Sequence, residues 1–191
     1  KAYGDPSVAM ARIAEKNHRN ALLNPLAHMR REVTFEFCNE VSEKNPLIAP
    51  PLRLTDCSLI TDGAAAIVLT ADSNAGSFRR SARFRSAEHV SDFLPMSRHD
   101  LLEFEGPRLA ISRALAAAGV TIGDISFAEV HDCFTIAELL SYEALGIAPK
   151  GRGIEALDCG AVYRGGKLPV NLSGGLKAKG HPVGATGVSM H

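Results

Sequence analysis

Apolar residues near the start of the chain recur with the spacing of an amphipathic helix. Asp5 and Pro6 form a typical helix start, because an Asp can cap the first turn and a Pro suits the first helical position. The pattern ends at Asn24-Pro25, since the residue before a proline avoids the helical conformation. Residues 26–54 show no sustained period and are predicted to be irregular.

The middle of the chain combines one apolar run with a long polar stretch. The run from Ala64 to Thr70 follows a turn, and short continuous apolar runs are typical of buried strands. Residues 72–100 alternate poorly and are rich in Ser and Arg, which predicts a single strand within loops. We therefore expect two strands in this part of the chain.

Helices and strands alternate in the last part of the chain. Pro107 opens a predicted helix over residues 108–118, and Gly119 supplies its C-terminal stop. Short strands are predicted over residues 126–130 and 168–172. This alternation indicates an α/β layered fold.

A thiol lies close to a predicted helix start in the segment around residue 133. Thr135 and Glu138 match a capping box, which predicts a helix from Thr135 to Gly146. The positive end of its dipole would lie close to Cys133 and favour a thiolate with a lowered pKa. A thiol next to His131 suits acyl and proton transfer near neutral pH. The alternative, in which Cys133 is a small core residue and His131 bonds to backbone, stays open.

A glycine-rich stretch around His181 is the second candidate for chemistry. His181 lies between Gly180, which lets backbone approach a ligand, and Pro182, which fixes the turn. A histidine held in this way can act as a base or donate to a developing oxyanion; the alternative is a surface loop residue. The glycine spacing matches neither a P-loop nor a dinucleotide-binding fingerprint, so nucleotide phosphates are not expected.

Composition narrows the classes of function. Of the 191 residues 46% are hydrophobic, and 21 basic residues balance 21 acidic ones. There is no net charge to attract nucleic acid, and no apolar run is long enough to span a membrane. A metal site joining the two motif histidines with Cys133 and Cys159 matches no standard ligand spacing, and the cysteines do not suggest a disulfide framework. We expect a cytoplasmic protein without a metal, and the peroxisome is left open.

Four segments together resemble the thiolase superfamily, and specifically thiolases of the sterol-carrier-protein-x type. These segments are His-Asp-Cys-Phe at His131–Phe134, Gly-His-Pro-Val-Gly-Ala-Thr-Gly at Gly180–Gly187, Asp56–Ala66 and Lys16–Pro25. The resemblance covers nearly the whole chain and implies a layered αβαβα fold built from two similar halves, only part of which this chain contains. Residues 1–102 would end the N-terminal half and include part of its loop region, about residues 1–57. Residues 103–191 would form a truncated C-terminal half.

The resemblance also implies a mechanism. In thiolases a nucleophilic cysteine takes the acyl group from an acyl-CoA, and a second cysteine moves the proton when the carbon–carbon bond forms or breaks. Cys133 takes the second role here, and His131 helps to form the oxyanion hole. His181 activates the nucleophile and helps to hold the thioester oxygen.

The resemblance further implies that CoA approaches the site near Ser173, Gly174 and Gly180. CoA is then a substrate, and no permanently bound cofactor is expected. The nucleophile is expected upstream of Lys1, because the remaining cysteines lack the small-residue turn of the family. The 191-residue chain alone is therefore expected to be inactive.

The leading hypothesis is an acyltransferase of fatty acid and lipid metabolism that makes or cleaves the carbon–carbon bond of a 3-oxoacyl-CoA. The complete protein is expected to be a homodimer or a homotetramer. One alternative is a thiolase-fold retro-aldolase acting on a steroid side-chain acyl-CoA, a branch that does not need the cysteine pair. The other is a noncatalytic fragment that binds acyl-CoA or lipid.

Overall fold

The computed structural model describes residues 2–92 and 95–191. Its helices are α1 (Ser7–Ala21), α2 (Phe35–Asn39), α3 (Glu105–Ala118), α4 (Thr135–Ala144), α5 (Ile154–Asp158), α6 (Gly175–Ala178) and α7 (Thr186–Ser189). Strands β1 (Leu47–Ala49) and β2 (Leu52–Arg53) form an antiparallel hairpin. Short 3₁₀ turns lie at Leu54–Asp56, Asp72–Ser77, Met96–Arg98 and Ile122–Asp124. None of the described helices is long and apolar enough to cross a membrane.

Helix α1 occupies the centre of the molecule and is buried along most of its length. One face packs on α4 and α5 in a cluster that includes Ile13 and Val170. A second face contributes Ala11 and Ala14 to a cluster with Cys38 of α2, and the end of the helix packs on α6. The predicted first helix is confirmed, and its small side chains let neighbours approach from three directions.

The two strands predicted in the last part of the chain lie side by side. Ala128 forms a parallel bridge with Val170, and the Asn171 N–H donates to the Ala128 carbonyl at 2.8 Å. Residues 126–130 and 168–172 are therefore paired as expected of neighbouring strands. Their ladder extends over this one bridge, which is too short for either segment to be assigned as a strand.

Helix α3 confirms the helix predicted over residues 108–118. Its stop is also confirmed, since Gly119 follows the last turn with a φ of 65°, a left-handed conformation that favours glycine. The helix begins at Glu105, three residues before the predicted start.

The apolar run from Ala64 to Thr70 does not form the predicted buried strand. It forms no element in the structure, and Val68 and Leu69 are 84% and 72% exposed. A strand needs a neighbour to satisfy its backbone groups, and no described segment pairs with this run. The strand predicted within residues 72–100 is likewise not found in the described part of that range, and residues 93 and 94 lie outside it.

The prediction that residues 26–54 are irregular is wrong at two places, α2 and the hairpin. The hydroxyl of Thr34 accepts the Phe37 N–H at 3.2 Å and caps α2. The buried Asn45 then ties the region together, because its amide donates to the Phe37 carbonyl and its oxygen accepts the Thr55 N–H. A single polar residue thus organises a stretch that has no apolar period.

The capping box predicted at the start of α4 is wrong. Phe134 precedes the helix, and Thr135 is its first residue. The Thr135 hydroxyl donates instead to a carboxylate oxygen of Asp56 at 2.9 Å, and Glu138 turns into the protein core. The predicted end of the helix is confirmed, since α4 stops two residues before Gly146.

Candidate functional site

Asp132 points into the protein, between the two neighbours that the sequence predicts to be catalytic. It is fully buried, and its Oδ1 accepts the Leu176 N–H at 2.7 Å. Its Oδ2 accepts the Lys177 N–H at 3.3 Å and the side-chain amide of Asn17 at 2.8 Å. These bonds hold the backbone around residue 132 against α6 and α1.

A second buried carboxylate, Glu138, lies beside the first. The ammonium of Lys16 is 2.8 Å from Glu138 Oε1, which also accepts the Tyr142 hydroxyl at 2.5 Å. The amides of Asn17 and Asn171 donate to Oε2 at 2.6 and 2.8 Å. Each oxygen of both carboxylates therefore has a donor, which is the condition under which buried charges are tolerated.

These buried residues form one connected group, which we call the polar node. Its members are Lys16, Asn17, Asp132, Glu138, Tyr142 and Asn171. Burial and the nearby Glu138 carboxylate raise the pKa of Asp132 to about 7, although the N–H donors of α6 and the charge of Lys16 oppose this change. The polar node lies directly beneath the segment that carries the predicted site.

His131 and His181 come together although they belong to separate sequence motifs. Their ring centroids are 5.0 Å apart and the rings are close to perpendicular, at 85°. Burial and the charge of His181 both lower the pKa of His131. Two adjacent imidazolium rings would repel each other, so this arrangement favours the neutral form of His131.

Cys133 follows His131 by two residues and is half-buried. Its carbonyl accepts the Ser58 N–H at 2.9 Å, and the next residue, Phe134, bridges to Cys57. Burial raises the pKa of the Cys133 thiol, and the carboxylate of Asp132 adds to this effect. The expected lowering of the pKa is therefore wrong, because desolvation outweighs the N–H groups near the start of α4. Cys133 is a protonated thiol at neutral pH.

The turn around His181 is packed against its neighbours. Nδ1 of His181 is 2.7 Å from the hydroxyl of Thr186, and that hydroxyl is 3.1 Å from the Pro182 carbonyl. Gly180 has a φ of +117°, and a Cβ there would lie 3.1 Å from the side chain of Thr61. His181 is therefore held by its neighbours within a loop, and its catalytic role stays a prediction.

The residues predicted to lie along the approach of CoA have structural partners. The N–H and hydroxyl of Ser173 both donate to the carboxylate of Glu129, at 2.9 and 2.5 Å. Gly174 has a φ of +104°, and a Cβ there would lie 2.6 Å from Cβ of Ala21. Only glycine fits this position, so close packing against α1 explains Gly174. Contact of Ser173, Gly174 and Gly180 with CoA stays a prediction.

The other three cysteines are poorly suited to nucleophilic attack. Cys38 is fully buried, and burial raises its pKa to about 11. Burial also raises the pKa of Cys57, whereas Cys159 is exposed at the end of α5 and donates to the Ala156 carbonyl. Within residues 2–92 and 95–191, no three His, Cys, Asp or Glu side chains are arranged to hold a metal ion.

The polar node is the part of the site that sequence reasoning missed. A signal for it existed, because Lys16 and Asn17 interrupt the small apolar residues of α1 and Asn171 interrupts an apolar strand segment. Each of these residues is at most 1% exposed. Polar side chains at positions predicted to be buried require hydrogen-bond partners. Here these residues bond to other members of the polar node.

A comparison with known protein families identifies the class to which this chain belongs. The chain belongs to the thiolase C-terminal domain-like family, whose model matches residues 87–191. This finding confirms the resemblance that the four sequence segments indicate.

Two relatives match this chain over almost its entire length. Over 98% of its length the chain is 39% identical to the acetyl-CoA acetyltransferase of Methanothermobacter thermautotrophicus and 35% identical to sterol carrier protein 2 of Oryctolagus cuniculus. It spans 48% of the first protein and 35% of the second. The chain therefore corresponds to about half or less of the length of these relatives.

A solved structure gives the same answer for the fold. An Ltp2-ChsH2(DUF35) aldolase superposes on 98% of this chain with a TM-score of 0.84 and 25% sequence identity. The match uses 50% of the aldolase chain. The expected fold class is thus confirmed, as a thiolase-like layered α/β fold of which this chain contains a part.

Proposed function

We propose that the complete protein carrying this chain is an acyltransferase of the thiolase type. It makes or cleaves the carbon–carbon bond of a 3-oxoacyl-CoA through an acyl-cysteine intermediate. The observation that carries the proposal is the contact between His131 and His181, which joins the motif that contains Cys133 to the second motif. Membership of the family and the relation to an acetyl-CoA acetyltransferase support it.

In the cleavage direction, His181 takes the proton of a nucleophilic cysteine that we place outside the described residues. The sulfur of that cysteine bonds to carbon 3 of the substrate, and the bond between carbons 2 and 3 breaks. The electron pair of this bond goes to carbon 2, which receives the proton of Cys133. The thiol of CoA then gives its proton back to Cys133 and takes the acyl group, while His181 returns its proton to the nucleophile.

The electrostatics of the two flanking residues match these roles. A proton donor must keep its proton until the carbon–carbon bond breaks, and the raised pKa of Cys133 has this effect. An acyl-accepting cysteine requires the opposite, a thiolate. His131, held neutral by its lowered pKa, keeps one N–H that can donate to the oxygen on which negative charge develops.

Replacement of Cys133 tests the proposal directly. In the complete protein Cys133→Ala should slow thiolysis of a 3-oxoacyl-CoA by about 10²–10⁴-fold, the usual contribution of an acid–base group. Acetylation of the protein by acetyl-CoA, followed by intact mass, should be largely retained, because the nucleophile is untouched. Cys159→Ala, at an exposed thiol away from the histidines, is the matched control and should leave both measurements unchanged. Thiolysis at the wild-type rate in Cys133→Ala would remove this thiol from the mechanism.

Peptide mapping of the acetylated protein locates the nucleophile. We expect the acetyl group on a cysteine other than Cys38, Cys57, Cys133 or Cys159. A stoichiometric acetyl group on one of these four would show that the nucleophile lies within this chain and that the assignment of roles is wrong.

A retro-aldolase is the second candidate, and the superposition on an aldolase favours it. Such an enzyme would split a β-hydroxyacyl-CoA without an acyl-cysteine, and a partner protein with a DUF35 domain would then be expected. The Cys133→Ala variant separates the two reactions, because aldol cleavage would survive the loss of the thiol. Binding of acyl-CoA without any turnover by the wild-type protein would support the third, noncatalytic alternative.

A further inference from the structure

We propose that Thr186 is a positioning residue that fixes the ring tautomer of His181, with Nδ1 protonated and Nε2 free to accept a proton. The catalytic consequence of this inference rests on the proposed function, whereas the tautomer itself is a property of the folded protein. Neither sequence motif shows which ring nitrogen of His181 carries the hydrogen. The structure does so through one buried hydroxyl.

The hydroxyl of Thr186 lies between two groups of different character. It is 2.7 Å from Nδ1 of His181 and 3.1 Å from the carbonyl oxygen of Pro182. A carbonyl oxygen can only accept, and a hydroxyl has one hydrogen to give. When that hydrogen goes to Pro182, a lone pair of the hydroxyl faces the ring, so Nδ1 must carry the hydrogen of that contact.

The opposite arrangement leaves two acceptors facing each other. If Thr186 donated to the ring, its remaining lone pairs would face the Pro182 carbonyl at 3.1 Å. Thr186 is 2% exposed, so solvent does not relieve such a contact, and burial makes an unsatisfied contact costly. A threonine in a helix that donates to the carbonyl four residues earlier is a familiar arrangement.

The first turn of α7 holds the carbonyl of Pro182 in place. The Pro182 oxygen accepts the N–H of Ala185 at 2.8 Å and the N–H of Thr186 at 2.9 Å, so its direction is fixed. On the other side, the ring of His181 stands nearly perpendicular to the ring of His131. The hydroxyl therefore lies between an acceptor of fixed direction and a ring that contacts His131.

This tautomer gives His181 the form that the proposed reaction requires. A neutral imidazole has one hydrogen, and the hydrogen bond made by one nitrogen decides which nitrogen carries it. With the hydrogen on Nδ1, Nε2 has a free lone pair and can take the proton of the nucleophilic cysteine. In the other tautomer Nε2 is already protonated and cannot act as the base.

The tautomer is tested by ¹⁵N NMR of the complete protein with labelled histidine. The chain has 7 histidines, and the His181→Asn variant identifies the signals of this ring by their loss. At a pH where the ring is shown to be neutral, we expect Nδ1 to carry the hydrogen in the wild type. Protonation at Nε2 in the wild type would overturn the inference, even if no variant folds.

Two replacements separate the hydroxyl from the shape of the side chain. Thr186→Val keeps the branched shape without the hydroxyl, and we expect a mixture of tautomers. Thr186→Ser keeps the hydroxyl, and we expect the wild-type tautomer. An unchanged tautomer in Thr186→Val would show that another group fixes the ring and would overturn the assignment to Thr186.

Kinetics then distinguish this inference from the proposed function. Thr186→Val should slow acyl-enzyme formation on the order of tenfold to a hundredfold, the loss known for hydrogen-bond partners that orient metal-binding histidines, with KM little changed and Thr186→Ser restoring the rate. A changed tautomer with unchanged acylation would uphold the role of Thr186 in the ring and refute His181 as the base. Slower acylation with an unchanged tautomer would refute the role of Thr186.

Discussion

Three consecutive residues, His131, Asp132 and Cys133, belong to two different environments. The side chain of Asp132 is fully buried in the polar node and accepts three N–H groups. The side chain of His131 contacts the ring of His181, and the half-buried thiol of Cys133 accepts the backbone N–H of Phe134. The buried residue thus holds the backbone, while its two neighbours belong to the candidate site. Adjacent positions thus divide two tasks: Asp132 supports the backbone, and His131 and Cys133 carry the predicted chemistry.

The largest expected effect comes from breaking the polar node at Lys16. Lys16→Met leaves the buried carboxylate of Glu138 without its cation, so we expect the free energy of unfolding to fall by about 3–5 kcal/mol. Arg19→Met on the same helix is the matched control, because its exposed pair with Glu15 is worth about 0–1 kcal/mol. Urea unfolding measures both variants. Equal losses would contradict the special role given to the polar node.

The pH dependence of stability tests the buried carboxylate of the site. The pKa of Asp132 is raised from 3.8 to about 7, so the folded protein binds a proton between these values that the unfolded chain does not. The stability from this difference is fully present below about pH 4 and is lost as the pH rises towards 7. Asp132→Asn should remove this fall in urea unfolding measured from pH 4 to pH 7. If the free energy of unfolding of the variant still falls from pH 4 to pH 7, other groups cause the fall.

His18, also buried on α1, has the opposite effect on the pH dependence of stability from Asp132. Burial and the charge of Lys177 lower its pKa from 6.5 to about 4, so here the unfolded chain binds the extra proton. Its contribution is present above pH 6.5 and is lost as the pH falls towards 4. His18→Gln should therefore make the fall in stability with rising pH steeper than in the wild type. An unaltered slope in the same titration would show that His18 is not held neutral in the fold.

The smallest expected effect on stability is at the outward-facing histidine. His131→Ala should change the free energy of unfolding by no more than about 0.5 kcal/mol, because the side chain is exposed and contacts one neighbouring ring, that of His181. The same variant should slow thiolysis, since it removes the proposed donor to the oxyanion. A loss of stability comparable to that of Lys16→Met would erase the distinction between the two environments.

Features set by neighbours in the sequence could be predicted, as α1 and α3 show. Their starts and stops depend on residues such as Pro6 and Gly119, which act within one turn. The capping box failed because the hydroxyl of Thr135 found a partner at Asp56, 79 positions away. Such competition between a local and a distant partner is not visible in a local motif.

In the candidate site, too, local motifs could be predicted from the sequence, whereas burial and contacts between distant residues could not. His131, Cys133 and His181 stand out because motifs mark them, and the structure brings the two histidines together. The direction of the pKa change at Cys133 could not be predicted, because the helix dipole can be inferred from the sequence but burial cannot. The ring partner Thr186 lay unnoticed inside the motif, since nothing in a sequence tells which hydroxyl is turned towards a ring.

The hydrogen bond from the ammonium of Lys16 to the Val170 carbonyl has a consequence for folding during translation. It joins positions 154 apart in the chain. At about 5–20 residues per second, a ribosome makes the second partner roughly 8–30 s after the first. During this interval α2 can already cover one face of α1, but Lys16 and the face that packs on α4 and α5 lack their full set of partners. We expect α1 to stay open to protease in stalled nascent chains until residue 171 has emerged, and the core then to form late and as one unit.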